Sequence, residues 1–361
     1  MTNRFRKKRR LLITLLCVFL ALPFIVIGYL AYVFFAYNRL SDNLSLDVRG
    51  NVSDPVRTGT KYTVLSFNIG FGAYEPDFSF FMDGGTQSWA WSKDKLLKNM
   101  AAILSFLTAC QADFCLLQEV DEKATRTYKV NERAMLEESF AANGRDTVFA
   151  QNWYSPFLFY PLTQPHGKSV SGILTASRFS ITSALRRSLP IEDSLIKIAD
   201  LDRCYSIASV PAENGRELVL YNVHLSAYTS DGSIATEQLR LLLDDMTAEY
   251  EKGNYIICGG DFNKDLLGDS SRYFDISGQE YSWAHPVPAE LFEGLPLSLV
   301  SGTNVPSCRI ADAPYNPQQF VLTVDGFIVS DNVQVLDVSI IDTGFTYSDH
   351  NPTQLTFTLL Q

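Results

Sequence analysis

The sequence predicts a layered α/β domain carried on one membrane-spanning helix, and three observations carry that reading. Leu11 to Tyr37 runs 27 residues without a charge. Beyond Lys61, short β-rich runs alternate with stretches whose apolar residues recur at helical spacing. Polar residues suited to catalysis recur where the predicted strands end, which is where layered α/β proteins bind ligands.

The first ten residues hold Arg4, Arg6, Lys7, Lys8, Arg9 and Arg10 and no acid. A 27-residue helix reaches roughly 40 Å against a hydrocarbon core of roughly 30 Å, so 11–37 can cross with tilt. Tyr29, Tyr32 and Tyr37 suit the far interface. A cleaved signal peptide would have a shorter apolar region followed by a small-residue cleavage site, so the segment reads as an uncleaved anchor. The basic flank, residues 1–10, belongs in the cytoplasm, and this predicts a single-pass protein of the cell membrane with its catalytic domain extracytoplasmic.

Residues 38–60 are polar, hold Gly, Pro, Asn and Ser without apolar periodicity, and read as a linker. The folded domain is predicted over 61–361. Tyr62 to Ile69 is strand-like, and Lys93 to Ala109 aligns Leu96, Met100, Ile103, Leu104 and Leu107 on one helical face. Phe114 to Gln118 and Leu218 to Leu225 are further strands. A helix bearing Leu239, Leu242, Leu243, Met246 and Tyr250 then precedes a buried strand from Tyr255 to Cys258. Phe320 to Val329, Val333 to Ile340 and Gln354 to Leu360 close the chain as strands.

Two aromatic-rich stretches, Phe71 to Trp91 and Trp153 to Tyr160, read as loops that either tuck into a secondary core or form a substrate lip or membrane-facing wedge. Trp89, Trp91 and Lys168 are the candidate substrate contacts. His166 and His285, each beside a proline, read as surface loop residues. Cys110, Cys115, Cys204 and Cys258 read as buried thiols, whereas Cys308, in a predicted loop, is open to pairing.

With the seven basic residues before Ser41 set aside, 23 Lys and Arg face all 40 Asp and Glu, so the outer segment carries about −17. Such a domain is a poor generic binder of nucleic acid, whose affinity draws on Lys and Arg neutralising phosphates.

The strand-end residues are Asn68 in SFN, Glu119 in LLQE, His224 in YNVHL, Asp261 and Asn263 in GGDFN, Asp325 in TVDGF, and Asp349 with His350 in YSDHNP. Convergence of Glu119, Asp261 and Asp349 in a dry pocket would force either raised pKa values or a bound hard cation. Oxygen ligands without thiolate favour Mg2+ or Mn2+ over Zn2+. The histidines would add a group that exchanges a proton near neutral pH.

In this order and spacing the motifs resemble the endonuclease/exonuclease/phosphatase superfamily, the metal-dependent fold shared by deoxyribonuclease I, neutral sphingomyelinases and inositol polyphosphate 5-phosphatases. The similarity spans roughly residues 61 to 361, with Ser171 to Phe179 a further family-like segment. The resemblance implies a four-layer α/β sandwich, two packed and mainly antiparallel sheets with helices outside. It implies that Glu119, Asn68 and Asp349 hold Mg2+ and that His350, oriented by Asp325, is the general base. Asp261 would position the water or itself be the base, Asn263 would bond phosphoryl oxygens, and His224 would stabilise developing charge.

The arginine-containing segment typical of inositol 5-phosphatases is not found where Ala311 to Gln319 reads ADAPYNPQQ. The expected function is a membrane-tethered, Mg2+-dependent phosphoesterase acting on a phosphate mono- or diester, preferably a lipid head group or small phosphorylated compound. A surface nuclease and a non-catalytic binding module on the same fold are the alternatives.

Overall fold

Strand formation follows the apolar patterning: Tyr255–Asp261 is buried at every position, and Thr353–Leu359 alternates buried and half-buried residues. The computed structural model describes residues 2–36, 39–191, 202–227, 233–276 and 284–361. Two seven-stranded sheets pack face to face.

The first sheet runs Leu44–Ser45, Ser183–Ser188, Cys204–Pro211, Glu217–His224, Tyr255–Asp261, Asp325–Ser330, Leu297–Val300. The second runs Val333–Ile340, Thr353–Leu359, Lys61–Asn68, Phe114–Asp121, Gly167–Ser177, Asp146–Leu158, Val48–Arg49. Each is antiparallel except for one parallel pair at its centre, Glu217–His224 with Tyr255–Asp261 and Lys61–Asn68 with Phe114–Asp121.

Three apolar layers hold the sandwich together. Between the sheets lie Val64, Phe114, Leu116, Leu220, Ile257, Phe327 and Phe357. Helix Lys93–Cys110, capped by the Ser92 hydroxyl accepting from the Lys95 N–H, lays Leu96, Met100, Ile103 and Leu107 on the second sheet. Helix Ser233–Glu251 lays Leu239, Leu242, Leu243 and Met246 on the first. The helix–sheet–sheet–helix order is the four-layer sandwich expected from the resemblance. A polar bolt crosses it: Gln118 Nε2 donates to Asn222 Oδ1 at 2.8 Å, and Asn222 Nδ2 donates to the Leu117 and Leu174 carbonyls at 3.2 and 3.1 Å.

Three expectations need correction. Trp153 to Tyr160 is not a loop throughout, because Trp153, Tyr154 and Phe157 belong to the strand Asp146–Leu158, whose pairing with Gly167–Ser177 satisfies the backbone. Residues 38–60 are not a free polar linker over the described part. Leu44–Ser45 extends one sheet and Val48–Arg49 the other, and Val56 is fully buried between them. Its alternation of single apolar residues is too short to register as a strand in sequence. The strand predicted from Phe320 splits into Val321–Leu322, paired with Cys308–Arg309, and Asp325–Ser330.

The N-terminal helix is Thr2–Ala36, and Phe5–Ala36 is long and apolar enough to cross a membrane. Tyr37 lies outside the described residues.

Candidate active site

The sheet register itself assembles the site. Asp261 ends its strand opposite His224 on one side and Asp325 on the other, so three of the strand-end residues share one rung. Gly260 permits this, because a Cβ there would sit 1.9 Å from the Val223 carbonyl oxygen. Across the sandwich, Asn68 pairs in register with Gln118, beside Glu119. Glu119 has φ +55° at a register shift between Leu117 and Val120, a bulge that turns its side chain out of the sheet's alternation.

Asn68 is the hinge between the sheets. Its Nδ2 donates to Glu119 Oε1 at 3.2 Å and to Asp261 Oδ2 at 3.0 Å, while its Oδ1 accepts the Gly70 N–H at 3.0 Å. The amide oxygen expected to face a cation is therefore turned to the backbone, and the side chain positions two carboxylates. Asp261 Oδ1 accepts the Asn263 N–H at 2.9 Å, and Asn263 Nδ2 donates to the Leu225 carbonyl at 2.8 Å.

His350 is held by Asp325, with Nδ1 2.8 Å from Oδ2, and the same oxygen accepts the Ser307 hydroxyl at 2.7 Å. His350 Nε2 lies 3.7 Å from Asp261 Oδ2 and 3.6 Å from Cys308 Sγ; His224 Nε2 lies 3.5 Å from Asp261 Oδ2. Cys308 is buried and all six cysteines are free thiols. Cys115, Cys204 and Cys258 are buried as expected, and Cys110 is half-buried.

Burial separates the titrations of this cluster. It holds His224 well below the ordinary imidazole range, with the Arg203 charge adding to the effect, so His224 is neutral at pH 7. Burial also opposes the His350 imidazolium, but the Asp325 carboxylate outweighs it and keeps His350 well above that range. Asp261 is pushed up to about 7 by burial, against the lowering pull of His350 and with the repulsion of Asp325. Asp349 is raised to about 6, again by burial. Burial thus raises Asp261 and Asp349 toward neutrality, while the two histidines move in opposite directions.

These residues open into a cavity of about 500 Å3 lined by Glu119, His224, Asp261, Asn263, Asp349 and His350. Asn68 and Asp325 stand behind its wall. Sequence reading missed the arginines that also line it. Arg126 is gripped by Asp121 through two bonds of 2.9 Å and lies 3.7 Å from the Phe71 ring centroid. Arg309 donates to the Ile310, Tyr74 and Glu75 carbonyls, and its buried Nε has no hydrogen-bond partner among the described residues. Neither lies in a recognisable motif, so only the fold brings them in.

The three candidate substrate contacts fall outside the cavity lining. Trp89 donates its indole N–H to the Pro165 carbonyl at 2.7 Å, Trp91 faces Lys95, and Lys168 lies over the Tyr154 ring. Conversely His166, expected at the surface, is buried on the cavity wall beside the Trp153 ring, and burial with the Arg126 charge lowers its pKa to about 3. His285 is half-buried. Of the first aromatic stretch, Phe71, Tyr74, Phe78 and Phe80 pack into the core beneath helix Lys93–Cys110.

The donor set fits a hard divalent cation: Glu119 and Asp349 are two carboxylates in one cavity lining, and burial raises the Asp349 pKa against the pull of His350 and Arg309, with repulsion from Glu119 adding to the rise. Asp261, Asp325 and His350 form a second close group, with ligand atoms within 4.8 Å of one another, although there the His350 Nδ1 already bonds Asp325.

The fold has solved counterparts. An endonuclease/exonuclease/phosphatase from Beutenbergia cavernae superposes with TM-score 0.58 at 17% identity, over 83% of this chain and 72% of the other. A family protein from Leptotrichia buccalis gives TM-score 0.55 at 13% identity, over 82% of this chain and 100% of the other. ANGEL2, described as a 2',3'-cyclic phosphatase and solved with adenosine-2',3'-vanadate, gives 0.54 at 17% identity, over 88% and 99%. No curated protein matches by sequence. The family model for the Endonuclease/Exonuclease/phosphatase family matches residues 65–350, a span that contains every strand-end residue named above. The chain therefore belongs to the endonuclease/exonuclease/phosphatase family, whose members are metal-dependent phosphoester hydrolases.

Proposed function

We propose that the protein is a membrane-tethered, Mg2+-dependent phosphoesterase in which Asp261 accepts a proton from the attacking water. The observation that carries this is the placement of Asp261, one carboxylate bonded to Asn68, near both histidines, and titrating at about 7. Water oxygen bonds phosphorus, its proton passes to Asp261 Oδ2, and the ester P–O bond breaks to release an alkoxide, which takes its proton from solvent water to become the alcohol.

His350 lies 3.7 Å from that oxygen, so the two groups address the same side of an in-line displacement. His350 therefore does not protonate the opposite, leaving oxygen. Kept protonated by Asp325, it bonds a phosphoryl oxygen and stabilises the charge that grows there. His224, neutral, adds an N–H from the neighbouring strand, and Arg126 and Arg309 supply positive charge for the phosphate. Glu119 and Asp349 would hold Mg2+, which supplies Lewis-acid polarisation of the phosphoryl group when bound.

The N-terminal helix anchors the chain, with the basic flank in the cytoplasm and the catalytic domain outside. Against a nuclease, the net acidity of the outer segment disfavours binding a polyanion.

The test is hydrolysis of bis(p-nitrophenyl) phosphate and p-nitrophenyl phosphate by the purified full chain in detergent with Mg2+. Turnover of at least one ester that vanishes in Glu119→Ala and in Asp261→Asn is expected. Equal turnover in these variants, or none in the wild type, contradicts the reading.

A further inference from the structure

The anchor does not merely precede the domain; it forms part of the cavity wall. Tyr29, inside the apolar helix, lines the same cavity as Asp261 and His350. Its hydroxyl accepts the Phe159 N–H and donates to the Phe157 carbonyl, each at 3.2 Å, and the Tyr32 hydroxyl accepts the Phe157 N–H at 3.1 Å. The Tyr29 ring meets Phe159 edge-on at 5.1 Å. Just past the helix, Arg39 pairs with Asp202 at 2.8 Å, and Asp202 is also bound by the buried Arg186. These contacts fix the mouth of the site against the helix.

The height of that mouth follows from helix geometry. Leu11 to Tyr29 is 19 residues, a rise of roughly 28 Å, which matches the hydrocarbon core, so Tyr29 and Tyr32 stand at the interface. Beside Tyr29 the cavity lining is apolar and open to solvent, with Met82 and Phe159 each 53% exposed and Tyr160 71%, and Leu162, two residues further along the chain, is 84% exposed. Exposed residues of this kind, contiguous with a spanning helix, have one neighbour that removes them from water, the bilayer surface.

We infer that the cavity takes a phospholipid of the leaflet bordering the catalytic domain, its headgroup phosphoester reaching Asp261 while its acyl chains remain between the Met82/Phe159/Tyr160 rim, with Leu162 beyond it, and the bilayer. The inference rests on the phosphoesterase reading above and adds the substrate class and its route of entry. It needs no long excursion of lipid from the membrane, because the rim meets the helix at Tyr29.

Two measurements on the full chain in vesicles of phosphatidylethanolamine, phosphatidylglycerol, phosphatidylcholine and phosphatidic acid test it. In the first, Leu162→Cys in a Cys17→Ser, Cys110→Ser background carries an environment-sensitive fluorophore. Quenching by lipids brominated near the glycerol, and none by aqueous iodide, is expected; the reverse pattern overturns the inference. In the second, Mg2+-dependent release of headgroup or phosphate from the vesicles is compared with turnover of the p-nitrophenyl esters.

Burial of one leucine is worth enough that Leu162→Asp should cut lipid turnover about tenfold or more while leaving soluble-ester turnover within about twofold. Soluble-ester turnover that requires Glu119, with no lipid cleavage or with lipid cleavage indifferent to Leu162→Asp, overturns the lipid inference alone. Absence of both activities overturns the phosphoesterase reading on which it stands.

Discussion

The floor of the cavity and its rim are built on opposite principles. At the floor, Asp261 and His350 are buried, as are Asn68 and Asp325 behind them, and hydrogen bonds join Asn68 to Asp261 and His350 to Asp325. At the rim, Tyr160 and Leu162 are mostly in solvent and carry apolar surface that nothing in the chain covers among the described residues. The floor holds charges in place before substrate arrives, which is where electrostatic catalysis gains most. The rim gains only when something apolar meets it. Substitutions at the floor should therefore change the chemical step for every substrate, and substitutions at the rim should change only which substrates arrive.

The largest effect is expected at Asp261. Asp261→Asn removes the proton acceptor and should lower kcat by about 10³-fold or more with circular dichroism unchanged. Asp325→Asn comes next, with a fall of about 10²-fold in kcat. It should also move the alkaline limb of the pH–rate profile to lower pH, because His350 loses the carboxylate that raises its pKa. An unchanged limb would separate His350 from the reaction.

A stability effect sharpens the same contrast. Asp261 is raised to about 7 in the folded state, whereas an unfolded aspartate titrates near about 4. Without metal, the native protein thus loses stability relative to the unfolded chain as pH climbs from about 4 to about 7, and levels off above. Asn at this position escapes that loss, so the Tm of Asp261→Asn should rise above wild type across that window. Mg2+ should narrow the gap; a constant gap in EDTA would refute the burial account.

Ser307→Ala should be smaller, costing about 1–2 kcal/mol in denaturant unfolding, because its hydroxyl donates to Asp325 and accepts the Val324 and Asp325 N–H groups at 3.0 Å. Smallest of all is Leu162→Asp, which should leave Tm within about 1 °C, as an exposed side chain does.

The sequence was legible where a residue type and a strand end coincide. GGDFN, TVDGF and YSDHNP placed Asp261, Asp325 and His350; the register set the first two on adjoining strands, and His350 stands just ahead of the last strand. It was silent about Arg126 and Arg309, because they reach the cavity through long-range packing: Arg126 through its grip on Asp121 and Phe71, Arg309 through carbonyls some 235 residues away at Tyr74. Trp89, Trp91 and Lys168 fall outside the cavity lining for the same reason. Composition marks them as contact residues, but their partners are Pro165, Lys95 and Tyr154 rather than the cavity. The polar 38–60 stretch joined both sheets because two-residue strands need only open edges, which no periodicity announces.

The central claim is that Asp261 and its neighbours drive water onto phosphorus. The direct measurement is a phosphorus-31 NMR time course in oxygen-18 water, with the full chain, Mg2+ and the phosphoester found to turn over, beside Asp261→Asn. The account predicts that the phosphate-bearing product acquires the upfield isotope shift of one oxygen-18 from solvent, and that this product is absent in Asp261→Asn. Label appearing in the alcohol instead, or labelled phosphate formed equally by the variant, would contradict it.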